Sequence, residues 1–236
     1  MPDFSKRSSE DEIMDDLNGS GKDLDQALRE LDTINYLLGG NYVTLNGIDQ
    51  LLHATPLPRI LDIVDVGCGG GDILKRIRAL LDRKNIRATL TGIDANKNVV
   101  AFASTHTLPS MNIRYEYVNI FSEEFKAKRF DIVTGTLFFH HFTNNQLVEF
   151  LRQLKGQASL GLIINDIHRH WFSYYSIKWL TQLFSKSAMV KHDAPQSVLR
   201  AFSKEELVAI LQQAGIVNYR IRWRWAFRWQ VIVRFS

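Results

Sequence analysis

The residues best suited to chemistry lie in one glycine-rich stretch in the first third of the chain. Glycines alternate there with other residues, at Gly67, Gly69 and Gly71, and Asp65 stands two positions before the first of them. Glycine lacks a Cβ and tolerates positive φ, so such a loop lets a ligand approach the main chain closely. An acid beside the loop can pair with an ammonium group. We therefore expect Asp65, Cys68 and these glycines to hold a ligand that carries a charged amino-acid group.

A second carboxylate follows at the distance that one strand-helix-strand unit spans. Asp94 lies 27 residues after Gly67, where the next strand is expected to end. A carboxylate in that place can accept hydrogen bonds from both hydroxyls of a ribose. Dinucleotide-binding enzymes also have an acid there, but their G-x-G-x-x-G loop requires glycine where this chain has Asp72. The acid therefore predicts a nucleoside, and the glycine spacing disfavours a dinucleotide.

Short apolar runs that alternate with helical periods must position these groups. Five apolar runs predict buried parallel strands, at 60–66, 88–93, 113–118, 130–136 and 160–164. Helical spacing predicts the connecting helices, at 73–81, 98–104 and 144–154. Near the C-terminus, a capping box at Ser203 and Glu206 begins a helix that Gly215 ends, and two closing strands follow. This alternation predicts an α/β fold with a Rossmann-like, doubly wound, mostly parallel sheet.

Two further segments lie outside this alternation. Apolar spacing over 24–34 and 42–54 predicts two helices separated at Gly39 and Gly40. We therefore assign residues 1–58 to an N-terminal helical cap and 59–236 to the core.

The second segment, 168–195, follows the fifth strand and is too long and too aromatic for an ordinary connection. We expect it to form part of an acceptor pocket or a lid. Within it, Trp171, Tyr175 and Trp179 are spaced by four residues, which predicts a helical stripe facing either that pocket or a lipid surface.

Histidine is the natural general base near neutral pH, and several of the seven histidines follow predicted strands. Ligands of doubly wound sheets bind beyond the carboxyl ends of the strands. His141 follows the fourth strand and His168 the fifth, so both are catalytic candidates, whereas His140 and His192 are expected to be structural. Asp166, His168, His170, His192 and Asp193 could also supply metal ligands, but their spacing matches no compact ligand set, and we expect no metal.

Composition excludes several classes of protein. The chain has 236 residues, of which 45% are hydrophobic and 23% charged, which suits one globular domain with a small cap. No apolar run approaches a membrane-spanning length, and the acidic N-terminus lacks the basic start of a secretory signal. Cys68 is the only cysteine, which agrees with a cytoplasmic location. Basic residues cluster only in the C-terminal strands, so we expect no nucleic-acid partner, although that cluster could support peripheral membrane contact.

The pattern Asp65-x-Gly67-x-Gly69-x-Gly71 with the distal Asp94 resembles the class I S-adenosylmethionine-dependent methyltransferases, over about residues 60–166. This resemblance implies a seven-stranded sheet of order 3-2-1-4-5-7-6 with the last strand antiparallel. It also implies S-adenosyl-L-methionine as the cofactor.

By the same resemblance, the glycine loop meets the methionine part of the cofactor, and Asp94 holds the ribose beside Ala95. Asn119 and Ile120 then lie at the adenine. The family often has aspartate at the position of Asn119, and an asparagine there can equally close a turn.

A closer resemblance connects 37–40, 139–142, 165–169 and 192–197 to small-molecule methyltransferases associated with polyketide synthases, and more widely to those of quinone biosynthesis. It implies O-methylation of a small hydroxylated aromatic, polyketide or quinone-like acceptor, for which a base must remove the hydroxyl proton. Three alternatives stay open: an RNA or protein acceptor, a non-catalytic module that binds the cofactor, and a nicotinamide-dependent oxidoreductase.

Overall fold

The structure, a computed structural model, describes residues 2–53, 58 and 60–235. Within those residues, seven strands form one sheet: β1 (Leu61–Val66), β2 (Ala88–Asp94), β3 (Ile113–Tyr117), β4 (Phe130–Thr136), β5 (Ala158–Ile167), β6 (Tyr219–Arg224) and β7 (Arg228–Arg234). The α-helices are α1 (Lys22–Leu37), α2 (Gly40–Leu52), α3 (Asp72–Arg83), α4 (Lys97–Thr105), α5 (Glu123–Ala127), α6 (Asn144–Gln157), α7 (Trp171–Phe184), α8 (Ala188–Arg200) and α9 (Lys204–Gln213).

The sheet is doubly wound around its first strand. Its order is β3-β2-β1-β4-β5-β7-β6. Strands β1 to β5 pair in parallel, whereas β7 runs antiparallel to both β5 and β6. The direction of winding reverses between β1 and β4, so the carboxyl ends of these two strands flank a topological switch point. The predicted sheet, its order and its antiparallel last strand are confirmed.

Helices cover both faces of the sheet. Successive side chains of a strand point to opposite faces, so each strand contributes to two apolar cores. On β1, Ile63 packs into the core that α2 and α3 complete, and Val64 packs into the core that α6 and α9 complete. Helix α2 approaches the sheet closely at Gly47, where an added Cβ would lie 2.9 Å from the side chain of Ile163. The second predicted helix therefore forms part of one covering layer of the sheet.

The two predicted N-terminal helices are present. Helix α1 ends at Leu37, and Gly39 has a φ of 71° between the helices, in the region that glycine tolerates. Helix α2 ends at Leu52. The predicted end of this helix at 54 and position 59 of the predicted domain boundary lie outside the described residues.

The stretch before α1 crosses the carboxyl end of the sheet and is held by α8. We call residues 8–15 the N-terminal segment. The main-chain N–H groups of Ile13 and Met14 donate to the two carboxylate oxygens of Asp193, at 2.8 and 3.0 Å. Gln196 Nε2 donates to the carbonyl of Glu10 at 2.9 Å. The segment is therefore bound mainly through side chains and not as a strand of the sheet.

The predicted insertion forms α7 and most of α8. Helix α8 does not stop at Pro195 but continues to Arg200, five residues beyond the predicted end of the insertion. Proline removes one helical hydrogen bond. Burial of Val190 and Val198 on the same helix offsets that loss. No helix among the described residues combines the length and the apolar character that crossing a membrane requires.

Candidate active site

A cavity of about 850 Å³ opens at the carboxyl ends of the strands, beside the switch point between β1 and β4. The loops after β1, β2, β3 and β4 form its base. The N-terminal segment, α1, α7, α8 and the turn between β6 and β7 form its walls. Doubly wound sheets bind their ligands in this place. The cavity is therefore the candidate active site.

Among the three alternating glycines of the loop, Gly69 is the one at which a side chain would point into open space. Its φ is 51°, and an added Cβ would meet no atom closer than 3.9 Å. An added Cβ at Gly67 would lie 2.0 Å from the ring of Phe138, although Gly67 itself lines the cavity. At Gly71 it would lie 2.1 Å from the hydroxyl of Tyr115, outside the cavity lining. Gly69 therefore offers bare main chain to a ligand, while the other two glycines make room for aromatic side chains.

Two carboxylates border this loop, one buried at Asp65 and one half-buried at Asp94. Asp65, near the end of β1, accepts a hydrogen bond from Thr134 Oγ1 at 2.6 Å, and burial raises the pKa of its carboxyl to about 7. Asp94, at the end of β2, accepts from the main-chain N–H groups of Gly69 at 3.3 Å and Asn96 at 2.9 Å. Burial raises the pKa of Asp94 as well. The structure thus brings the two predicted acids together at one end of the cavity, where they would attract a cation.

Cys68 and the predicted adenine-side residues also line the cavity. Burial raises the pKa of the Cys68 thiol, which favours its neutral form. Ala95, Asn119 and Ile120 form the wall beyond Asp94. Asn119 Oδ1 accepts a hydrogen bond from the N–H of Phe121 at 2.9 Å, so this side chain does close a turn. A carbonyl oxygen has a second lone pair, so the turn leaves one acceptor site for a ligand.

His141 stands at the cavity wall and is paired with a carboxylate. Its Nδ1 lies 2.6 Å from Asp15 Oδ1, and Arg200 donates to the other oxygen of Asp15. Burial opposes ionisation of Asp15, but the hydrogen bonds from His141 and Arg200 hold its pKa well below the usual range. A carboxylate can only accept, so Nδ1 carries the proton and Nε2 of the neutral ring is an acceptor. This arrangement suits a general base.

His140 is buried beside His141, with ring centroids 4.3 Å apart, and its expected structural role stays a prediction. Its Nδ1 lies 2.7 Å from Asp166 Oδ1, and its Nε2 lies 3.5 Å from Glu12 Oε1. Burial lowers the pKa of His140, but the negative charges of Asp166 and Glu12 outweigh this and raise it to about 9. The ring is therefore a cation near neutral pH, and it links the N-terminal segment to β5.

Of the five metal ligands considered from the sequence, His192 Nδ1 lies 2.8 Å from Asp193 Oδ1, but no three of the five form a group spaced for a metal ion. Asp166 bonds to His140, and Asp193 bonds to the N-terminal segment. Among the described residues, the one group spaced for a metal ion consists of Glu12, His140 and His141, whose ligand atoms lie within 4.8 Å of one another. His141 Nδ1 of this group is already bonded to Asp15.

His168 does not line the cavity. Its N–H donates to the carbonyl of Phe227 at 2.8 Å, and its ring centroid lies 4.8 Å from that of Trp229. Burial lowers its pKa. The structure therefore groups His141 with the cofactor-side residues and places His168 behind the β6–β7 turn.

The aromatic stripe on α7 points away from the cavity. Trp171 and Trp179 are 56% and 66% exposed, and Tyr175 is also exposed. The cavity is lined instead by other residues of this helix, among them Phe172 and Ile177. Of the two orientations predicted for the stripe, the one toward the pocket is therefore wrong.

Comparison with known proteins agrees with this arrangement. Residues 63–157 match a family model described as a methyltransferase domain. Carboxy-S-adenosyl-L-methionine synthase of Helicobacter pylori (strain P12) is 23% identical over 195 residues, which cover 79% of each chain.

Solved structures with the same fold have lower sequence identity. The plantazolicin methyltransferase BpumL, solved with SAH, is 18% identical, with 89% of this chain and 93% of that chain covered and a TM-score of 0.61. Magnesium protoporphyrin IX methyltransferase from Synechocystis PCC 6803 is 17% identical, with 84% of each chain covered and a TM-score of 0.55. The citrinin polyketide synthase CMeT domain is 16% identical, with 83% and 52% covered and a TM-score of 0.62.

The expected cofactor can be tested against the geometry of the cavity. Open space lies beside the main chain at Gly69, and the carboxylates of Asp65 and Asp94 line the same cavity. These features fit the amino-acid tail and the ribose of a sulfonium nucleoside. The match to a methyltransferase-domain model over 63–157, the fold and this fit together support S-adenosyl-L-methionine as the cofactor.

Proposed function

We propose that this protein methylates a hydroxyl oxygen of a small hydroxylated aromatic, polyketide or quinone-like acceptor. The observation that carries the proposal is the pair formed by His141 and Asp15, which lines the same cavity as Asp65 and Asp94. A hydroxyl is a weak nucleophile until its proton is removed, so an O-methyltransferase benefits from a base at this point.

Residues at the β1 and β2 ends would hold the cofactor. Asp65 would pair with its ammonium group, the main chain at Gly69 would lie against its methionine part, and Asp94 would accept from its ribose hydroxyls. Asn119 and Ile120 would border its adenine. When bound, the cofactor supplies an electrophilic methyl group on a sulfonium centre.

Residues at the β4 end would prepare the acceptor. His141 Nε2 accepts the hydroxyl proton, and the ionised Asp15 stabilises the imidazolium that results. Arg200 fixes Asp15 in turn, through hydrogen bonds to Asp15 and to the carbonyl of His141. Correct alignment of acceptor and methyl group supplies much of the remaining rate enhancement.

The remaining cavity walls suit a flat, apolar acceptor. Phe138 and Phe142 contribute aromatic surface below, and Phe172, Ile177 and Trp225 contribute apolar surface above. Sites for small molecules typically combine such walls with a few polar groups. Two proteins of the same fold are named as methyltransferases of plantazolicin and of magnesium protoporphyrin IX, which favours a small acceptor.

We expect purified protein to transfer labelled methyl from S-adenosyl-L-methionine to hydroxyaromatics, and to do so in the presence of EDTA because no step above needs a metal. Mass spectrometry of a panel of catechols, resorcinols and hydroxyquinones checks this, with their fully O-methylated analogues as controls. Label found only in RNA or protein of a lysate, or a modified cofactor in place of S-adenosylhomocysteine, would overturn the acceptor assignment. Loss of turnover with EDTA would instead indicate a metal ion, for which Glu12, His140 and His141 would be the ligands.

The pKa of Asp65 makes cofactor binding depend on pH. In the free protein this carboxyl is half protonated at about pH 7, because burial raises its pKa, and only the ionised form pairs with ammonium. Affinity for S-adenosylhomocysteine should therefore fall about tenfold for each pH unit below 7 and level off above it. Calorimetry between pH 5.5 and 8.5 checks this, and Asp65→Asn should bind more weakly with a flat profile. A flat profile in the unchanged protein contradicts the role of Asp65.

A further inference from the structure

One cationic side chain of the cavity wall has no counter-charge among the residues that the structure describes. Arg228, at the start of β7, is 5% exposed and lines the cavity. No carboxylate of the described residues lies within ion-pair distance of it, and its Nη1 has no hydrogen-bond partner among them. Burial lowers the pKa of Arg228 to about 10, and only the charge of Asp166 opposes this. Asp166 itself is bonded to His140.

A buried guanidinium without a counter-charge is costly, because desolvation is not offset by an opposite charge. Such a group either destabilises the fold or serves a ligand that completes it. The surroundings of Arg228 indicate the second case, since they hold the guanidinium in one position.

Three elements build this position. Arg228 Nη2 donates to Asn35 Oδ1 at 3.0 Å, and Asn35 Nδ2 donates to Asn41 Oδ1 at 2.8 Å. The second bond fixes the amide of Asn35 with its oxygen toward the guanidinium. Gly40 makes this contact possible, because an added Cβ there would lie 1.9 Å from Asn35 Oδ1 and 3.0 Å from Arg228 Nη2. The end of α1, the start of α2 and the start of β7 therefore meet around one oriented guanidinium.

The guanidinium lies beside the acceptor part of the cavity. Arg228 pairs with Ile167 at the end of β5, and β5 is the neighbour of β4, which His141 follows. Two strand spacings, about 10 Å, therefore separate the carboxyl end of β4 from the start of β7, where Arg228 lies. One aromatic ring with a substituent on either side spans such a distance. Phe172 and Phe227, with ring centroids 5.8 Å apart, contribute apolar wall to the same cavity.

We propose that Arg228 binds a carboxylate of the acceptor, so that the acceptor is a hydroxylated aromatic acid whose carboxylate lies across the ring from the methylated hydroxyl. The planar fork of a guanidinium matches a carboxylate with two parallel hydrogen bonds. The hydroxyl part of this assignment rests on the proposed function, whereas binding of the carboxylate does not.

The test compares two probes on protein saturated with S-adenosylhomocysteine. We expect 3,4-dihydroxybenzoate to bind about tenfold or more tightly than catechol in calorimetry, since hydrogen bonds to a charged group contribute at least that much. Arg228→Met should abolish this preference and leave catechol affinity unchanged. Arg222→Met, which removes an exposed arginine of β6, is the matched control and should keep the preference. Equal binding of both probes, or a preference that survives in Arg228→Met, overturns the proposal.

A second measurement needs no variant, in case Arg228→Met does not fold. Benzoate should raise the unfolding temperature of the unchanged protein, whereas benzamide, its neutral counterpart, should not. Equal shifts with the two compounds overturn the proposal. A preference for carboxylates without methyl transfer to any hydroxyl would support this inference and contradict the proposed function. Methylation of catechols without a preference for carboxylates would support the proposed function and contradict this inference.

Discussion

Replacement of His141 by asparagine should lower kcat by about 10²- to 10⁴-fold, the contribution that a positioned general base typically makes. Asparagine keeps the size and polarity of the side chain but cannot accept a proton near neutral pH. Affinity for S-adenosylhomocysteine should change little, because the hydrogen bonds of His141 go to Asp15 and not to the cofactor-side residues. Single-turnover kinetics with the best acceptor of the panel measures the loss.

His168 supplies the matched control for this experiment. His168→Asn changes the other histidine that the sequence offers as a base, but its ring packs against Trp229 outside the cavity. We expect this variant to keep most of its kcat and to lose some thermal stability. The kcat of Asp15→Asn should lie between those of the two histidine variants, since this change removes the charge that stabilises the imidazolium. A loss in His168→Asn as large as in His141→Asn would contradict the assignment of the base.

Replacement of Asp94 by alanine should weaken binding of S-adenosylhomocysteine by about 100-fold or more. Two hydrogen bonds from ribose hydroxyls to a charged group are lost, and each contributes about 1.5 to 3 kcal/mol. The main-chain N–H of Gly69 loses its acceptor as well, which loosens the loop against which the methionine part would lie. Isothermal calorimetry at pH 8 measures the change.

Loss of fold would not explain that result. Burial raises the pKa of Asp94, so the charge of Asp94 is itself unfavourable in the free protein. Urea unfolding of Asp94→Ala without ligand should therefore give a free energy of unfolding equal to or above that of the unchanged protein. Asp82→Ala, which removes an exposed carboxylate on α3, should leave both affinity and stability unchanged. Unaltered affinity in Asp94→Ala would defeat the cofactor assignment.

The sequence predicts those parts of the site whose residues lie close together along the chain. The glycine loop and Asp94 belong to a single strand-helix-strand unit, so their spacing along the chain reports their spacing in space. The order of the strands followed from the resemblance that these residues carry. The same rules do not distinguish a glycine that faces a ligand from one that makes room for Tyr115, so the sequence pattern groups Gly71 with Gly69.

The rest of the site depends on contacts between distant parts of the chain. Asp15 and His141 are 126 residues apart, and Asp15 and Arg200 are 185 residues apart. No periodicity links such positions, so the acidic N-terminus gave only an excess of charge. In the sequence, Arg228 is likewise one arginine among several in a basic strand pair, and only its burial against Asn35 distinguishes it from the others.

The placement of His168 shows how a small error in a strand boundary changes a functional prediction. The apolar run predicts a strand that ends at 164, which would put His168 in a loop above the site. Strand β5 in fact continues to Ile167 because its pairing with β7 extends to Arg228. His168 is thereby carried past the cavity, where it pairs with Phe202. The polar residues Asn165 and Asp166 mask this continuation in the sequence.

The N-terminal segment has a further consequence for the catalytic cycle. Asp15 reaches His141 on a piece of chain that α8 holds largely through the side chains of Asp193 and Gln196. On the proposed mechanism, any motion that lifts this segment to admit or release molecules also withdraws the counter-charge from the imidazole. In the open site His141 then lacks the carboxylate that stabilises its protonated form. Water that enters between turnovers is therefore not activated by this base, and the methyl donor is protected from hydrolysis.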